Sequence, residues 1–160
     1  MNQPISQIVM NALSSKIPIA YIDIRVFAHA TEDVDKVLSA ARSLLPTTLI
    51  DTVVFGKSNL TGHYGNPIIL LEARIKEKNA VQAVFERVSS GLRILDKELL
   101  SSQIKQHFDR GNLYMRLDKQ SAYLNEIKLY QTDPIHLRIH FRKHSLEEVI
   151  DACRKFGLLP

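Results

Sequence analysis

Tryptophan is absent, cysteine occurs once, and aromatic residues make up only 7% of the 160-residue chain. The lone Cys153 excludes an internal disulfide and a thiolate metal cage, and it suits a reducing compartment, read here as the cytoplasm. No apolar run approaches the roughly 18 residues of a membrane helix, and the N-terminus lacks the basic start and apolar core of a secretory signal, so no membrane partner is expected. Six glycines and six prolines are too few for a low-complexity or collagen-like chain. Neither a P-loop, a dinucleotide fingerprint nor a nucleophile elbow occurs. The reading is therefore of a protein that is not an enzyme and needs no cofactor.

What is present is ordinary globular composition, 45% hydrophobic and 24% charged. This length suits a single domain with a core of its own. Residues 1–17 show weak periodicity and no cap, and are read as a flexible leader to a single domain spanning 18–160. The formal charge is +4, and its distribution is uneven. Between Arg110 and Lys143 lie Arg110, Arg116, Lys119, Lys128, Arg138, Arg142 and Lys143, opposed only by Asp118, Glu126 and Asp133. Acids and bases balance in the rest of the chain, so the whole excess belongs to this stretch. A concentrated excess of this kind points to a polyanionic partner.

Period-two alternation predicts a half-buried strand over Ile19–Ala30, with Ile22, Ile24 and Val26 on one side and Tyr21, Arg25, Phe27 and His29 on the other. A helix capped by Thr31 follows and ends before Pro46. Strands are expected over Thr48–Phe55 and Pro67–Lys76, joined by a long loop from Gly56 to Asn66. Asn79 is the expected cap of a helix carrying Val81, Val84, Phe85, Val88 and Leu92. A second helix after Asp96 would align Leu100, Ile104 and Phe108 and close at Gly111. Asn112–Asp118 alternates again, and a weaker strand is expected over Glu126–Tyr130. Ile135 to Phe141 alternates most clearly: Ile135, Leu137, Ile139 and Phe141 point one way, His136, Arg138 and His140 the other, with Arg142 extending the basic side. Ser145 and Glu148 form a capping box for the last helix.

This order gives an α+β fold, a mostly antiparallel or mixed sheet with helices layered on one face. The alternative is a ferredoxin-like unit with extra strands. Either leaves one sheet face open, bearing Tyr21, Arg25, Phe27, His29, Tyr114, Arg116, His136, Arg138, His140 and Arg142. Rings stack on unpaired bases and guanidinium groups grip phosphate, so the mixture suits RNA better than a DNA groove. The Gly-rich loop adds Lys57, His63 and Tyr64, whose backbone and rings suit a phosphate or a base. His136 and His140, about 13 Å apart on a strand and without a carboxylate cluster, do not form a metal site. A second reading makes the same face half of a homodimer or protein interface. A third, an acid–base enzyme acting through His29 or His63, requires a histidine paired with a carboxylate in a pocket.

Three stretches carry a resemblance: Thr61 to Ile68 (TGHYGNPI), Arg116 to Tyr123 (RLDKQSAY) and Asp133 to Arg142 (DPIHLRIHFR). In this order they resemble the archaeal RNA-binding-domain family described as predicted exosome subunits. The resemblance implies a fold similar to the ribosomal protein that binds 5S RNA. It also implies an RNA-associated role alongside exosome or ribosome-associated proteins. It adds Lys119 to the candidate RNA contacts, through the second stretch.

Overall fold

The computed structural model describes residues 16–143 and 145–160. The flexible-leader expectation therefore falls almost wholly on residues 1–15, outside the described chain. Ile17 is buried, and its N–H donates to Gln82 Oε1 at 2.9 Å.

Six strands form one sheet in the order β2-β3-β1-β6-β5-β4, with every neighbouring pair antiparallel. They are β1 (Ile19–His29), β2 (Gly56–Thr61), β3 (Pro67–Ile75), β4 (Phe108–Asp109), β5 (Asn112–Leu117) and β6 (Ile135–Phe141). The described helices are α1 (Val34–Arg42), α2 (Lys78–Gly91), α3 (Ile94–Ser102), α4 (Lys119–Tyr123) and α5 (Leu146–Lys155), with a 3-10 turn at Ile104–His107. The fold is thus α+β with an open antiparallel sheet. Strands β1, β2, β3 and β6 with α1 and α2 make a split β-α-β unit of ferredoxin-like order, and the segment between α2 and β6 widens it with β5 and β4.

One face of the sheet builds the core. Ile22, Ile24, Val26, Leu71, Ala73, Leu113, Met115, Leu117, Leu137, Ile139 and Phe141 are all buried there. Helical stripes cover them, including Val37 and Ala41 of α1, Val84, Phe85 and Val88 of α2, and Val149 and Cys153 of α5. Burial of Cys153 pushes its thiol pKa up to about 12, so it behaves as a core residue. No helix among the described residues is long and apolar enough to cross a membrane.

Several local expectations are corrected. Thr48–Phe55 is not a strand: residues 47–52 form turns, in which the Pro46 carbonyl accepts the Leu49 N–H and the Leu49 carbonyl accepts those of Thr52 and Val53. Leu49, Ile50 and Val53 pack on the core from this turn, so their hydrophobicity serves a cover rather than a sheet. The strand lies instead at Gly56–Thr61, within the expected loop, and all six of its residues are exposed. An edge strand of this kind carries no alternation to read. Asp33, not Thr31, caps α1. Glu77, not Asn79, caps α2, accepting the N–H groups of Asn79 and Ala80 at 3.0 and 2.8 Å. Gly111 closes no helix: with Arg110 it forms the two-residue turn between β4 and β5, both at positive φ (50° and 83°), as a primed hairpin turn requires. Glu126–Tyr130 runs beside Leu92 and Leu117 through isolated bridges only.

A polar clamp ties the end of β1 to the start of β6. Lys119, nearly buried at the start of α4, donates to the Phe27 carbonyl (2.8 Å), to Glu32 (3.1 and 3.2 Å) and to Asp133 (2.8 Å). Burial works to raise the Asp133 pKa, but the hydrogen bonds from Lys119 and His29 outweigh it and hold the carboxyl below its ordinary 3.8. The stabilisation is therefore full above the ordinary carboxyl pKa and is lost as pH falls through the folded value. Lys119→Met is expected to cost about 2 kcal/mol in urea unfolding, less than a wholly buried pair because the carboxylates are part-exposed. The variant's stability should also fall less steeply than the parent's below about pH 4. A midpoint unchanged at neutral pH would show that the clamp contributes nothing.

Candidate nucleic-acid interface

The pleat that buries the core residues sends their neighbours to the uncovered face. The register sets these residues out in rows across the sheet. One row runs Glu72, Arg25, His136, Arg116 from β3 to β5, and the next runs Arg74, Asp23, Arg138, Tyr114. Tyr21, His140 and Asn112 follow. On the other side, Phe27 stands opposite Leu70 and His29 opposite Ile68.

These rows floor a trough of about 1040 Å³, open to solvent. Its walls include Gln103, Gln106 and His107 from the 3-10 turn and its approach, and Gln131 from the loop before β6. No sequence signal placed these four at the site, because amide side chains on a turn carry no periodicity.

In the second row both arginines are held by one carboxylate. Asp23 accepts a two-pronged contact from Arg74, Nε to Oδ1 at 2.7 Å and NH2 to Oδ2 at 2.9 Å. Arg138 NH2 reaches Oδ2 at 2.6 Å. Burial works to raise the Asp23 pKa, and the hydrogen bonds and charges of the two arginines bring it below 3.8. Asp23 shares the alternation of Tyr21 and Arg25, so its place on the face was readable. Its capture of two arginines was not.

The first row also holds one acid, Glu72, opposite Arg25. Among the described residues neither Arg25 nor Arg116 has a carboxylate partner within ion-pair distance. Arg25 lies over the Phe27 ring, 5.5 Å from its centroid, and Arg116 donates to the neutral Gln131 Oε1 at 3.1 Å. His136 stands between them, edge-on to Phe27 at 6.3 Å. Burial, then the charges of Arg25 and Arg116, push its pKa below 6.5 against the opposing pull of Asp133.

The aromatic groups divide likewise. Tyr21 stacks on His140 at 4.7 Å and carries the Arg74 guanidinium 4.0 Å from its ring centre. His140 Nδ1 lies 2.8 Å from Asn112 Oδ1. Tyr114 is 39% exposed and Tyr64 92%, so these rings are open to a base. Tyr64 sits with His63, 5.0 Å ring to ring, at the tip of the β2–β3 hairpin.

Of the fourteen candidate residues, Arg25, Tyr114, Arg116, His136 and Arg138 line the trough, and four others are set apart for separate reasons. Lys119 is nearly buried in the clamp. Arg142 follows the last residue of β6, is exposed, and lies outside the trough lining. Lys57 stands opposite Leu71, whose face belongs to the core, so it points away from the rows. His29 is on the open face but bonds Asp133, Nε2 to Oδ1 at 2.9 Å.

That pair is the histidine–carboxylate contact an acid–base site would need. Here it borders the clamp, whose Lys119 already joins Asp133 and Glu32. His29, Glu32 and Asp133 also present ligand atoms within 4.8 Å of one another. The Lys119 ammonium, 2.8 to 3.2 Å from both carboxylates, already supplies the positive charge a metal would bring. His63 has a tyrosine beside it and, among the described residues, no carboxylate partner.

Comparison with known proteins identifies a family. A protein family described as RNA binding matches residues 21–141, which include every strand except the first two residues of β1. The chain is 34% identical over 149 residues to a Pyrococcus abyssi protein named RNA-binding protein PAB1135, covering 90% of this chain and 97% of that one. The structure of Mth689 from Methanothermobacter thermautotrophicus, titled a DUF54 protein, superposes with a TM-score of 0.72 at 25% identity over 87% of this chain and 98% of that one. SSO0741 from Sulfolobus solfataricus gives a TM-score of 0.70 at 27% identity, over 85% and 96%. By these matches the chain belongs to the RNA-binding family that covers its whole sheet.

Proposed function

We propose that this protein binds RNA without acting on it chemically, through the open sheet face, as a cytoplasmic accessory to RNA processing at the exosome or to translation. The observation that carries the reading is the first row, in which Arg25 and Arg116 flank His136 without an ion pair among the described residues, on the floor of a ring-bearing trough. Guanidinium groups not already held by a carboxylate are available to grip phosphates. Tyr114 and Phe27 beside them, and Tyr64 at the hairpin tip, offer flat surfaces to unpaired bases. The name of the Pyrococcus abyssi relative supports the partner class. The exosome or translation role rests on the sequence resemblance.

Arg138 acts differently from its neighbours in this reading. Asp23 holds it with Arg74, so it reaches a phosphate only by exchanging one anion for another. The same face would serve a second copy of the chain, and light scattering separates the two uses: a stable dimer that protects Tyr114 and Arg116 would remove the RNA face.

Fluorescence anisotropy with labelled single-stranded and hairpin RNAs is the direct measurement. Replacing Arg25 and Arg116 together by Ala is expected to weaken binding at least about tenfold. It should also flatten the plot of log affinity against log salt by about 1.4 for single strands, the share of two phosphate contacts. Binding that ignores salt and the double substitution would refute the reading. Asp23→Asn should do the reverse, releasing Arg74 and Arg138 and tightening RNA binding about threefold while steepening the salt dependence. A weaker complex would show that Asp23 instead organises the face.

A further inference from the structure

The first row has a shape that a chain of phosphodiesters does not require. Directly opposed residues on neighbouring strands have Cβ atoms about 5 Å apart. Arg25 and Arg116 are each opposite His136. Their Cβ atoms therefore stand roughly 10 Å apart with the imidazole between them, and both long side chains can close over it. Three nitrogen-bearing groups thus stand in line on neighbouring strands. The acid that ends the row, beyond Arg25, is Glu72, and in the next row the Asp23 carboxylate is already taken up by its arginines. The amides of Gln103, Gln106 and Gln131 line the same trough.

We propose that Arg25, His136 and Arg116 form a site for a terminal phosphate, the phosphomonoester end of an RNA strand, with the amide-walled part of the trough holding the nucleotide attached to it. This inference deepens the function proposed above and rests on it. A monoester presents three free oxygens and a charge approaching −2, with a second pKa of about 6. An internal diester presents two oxygens and a single charge. With Glu72 counted against the two arginines, the row carries +1, which balances a diester, and a third cationic donor contributes when a second charge arrives. His136 meets that condition: half-buried and flanked by Arg25 and Arg116, it has a pKa lowered from its usual 6.5. A dianion above it would return the proton. Asp133 from the preceding loop also faces His136, while Asp23, Glu72, Arg74, Arg138 and His107 share the trough.

The test uses the full chain and one RNA sequence of about ten nucleotides, spanning a typical single-strand site. It is prepared with a phosphate or a hydroxyl at the 5′ end and, separately, at the 3′ end, with the label at the other terminus. Anisotropy titrations at about pH 6 and about pH 8 give the affinity ratio of phosphorylated to hydroxyl RNA. One phosphorylated end is expected to bind about tenfold more tightly, with the preference largest near pH 6 and shrinking as His136 becomes harder to protonate. His136→Gln should bring the ratio near unity at both pH values. Arg138→Ala, outside the row, should preserve the ratio. Equal binding of phosphate and hydroxyl ends by the parent protein, or a preference that survives His136→Gln, would overturn the site while leaving RNA binding intact. Failure to bind any RNA at low salt would instead overturn the proposed function, and the terminal site with it.

Discussion

The alternation of β6 is the constraint on which the site depends. Ile135, Leu137, Ile139 and Phe141 are buried almost completely, and a one-residue slip would expose all four at once. That cost fixes His136, Arg138 and His140 on the opposite face. Because β6 lies between β1 and β5, its register also decides which side chains meet across the sheet. The pairing of His136 with Arg25 on one side and Arg116 on the other follows from burying Leu137 opposite Ile24 and Met115. The hydrophobic core thus sets the geometry of a polar surface that shares none of its atoms.

Charge counted along a sequence and charge available on a surface are different quantities. The stretch from Arg110 to Lys143 holds the whole positive excess of the chain, yet its Lys119 is consumed within the fold and its Arg138 is shared with Asp23. The reason is desolvation: an ammonium or guanidinium partly withdrawn from water persists only beside an anion or a carbonyl. Lys119 finds Glu32 and Asp133, whose loop before β6 brings the latter near the end of β1. Arg138 finds Asp23 because β1 and β6 are neighbours. What remains for a ligand is a smaller and more localised set of cations than a count suggests.

How much was legible follows the same physics. Strands β1, β3, β5 and β6 could be read because one face of each is buried and the other is wet, which imprints a period of two. Helix α2 could be read because Val81, Val84, Phe85, Val88 and Leu92 all face the core. Strand β2 could not, since all six of its residues are exposed and its position comes from pairing with β3. Leu49, Ile50 and Val53 suggested a strand because hydrophobicity without clear periodicity does not distinguish a turn that lids the core from a strand within it. At the site, alternation placed Tyr21, Arg25, Phe27, Tyr114, Arg116, His136, Arg138 and His140 on one surface. It carried no information on long-range partners: Asp23 to Arg138 spans 115 positions, and Lys119 to Phe27 spans 92.

The division of the face into a row whose arginines share a carboxylate and a row whose arginines form no ion pair bears on selectivity. In the row of Asp23, an incoming phosphate competes with a carboxylate already held at 2.6 to 2.9 Å, so net gain there is small whatever the nucleic acid. In the row of His136 no carboxylate has to be displaced from the arginines, only the neutral contacts of Arg116 with Gln131 and of Arg25 with Phe27, and in the proposed site the central group changes its charge in response to the ligand. Discrimination between anions therefore belongs to the second arrangement rather than the first. A surface whose cations were all free would hold every polyanion by counterion release alone. Tying Arg74 and Arg138 to Asp23 lowers that indiscriminate component and leaves recognition to the three groups that answer to the shape and charge of what they hold.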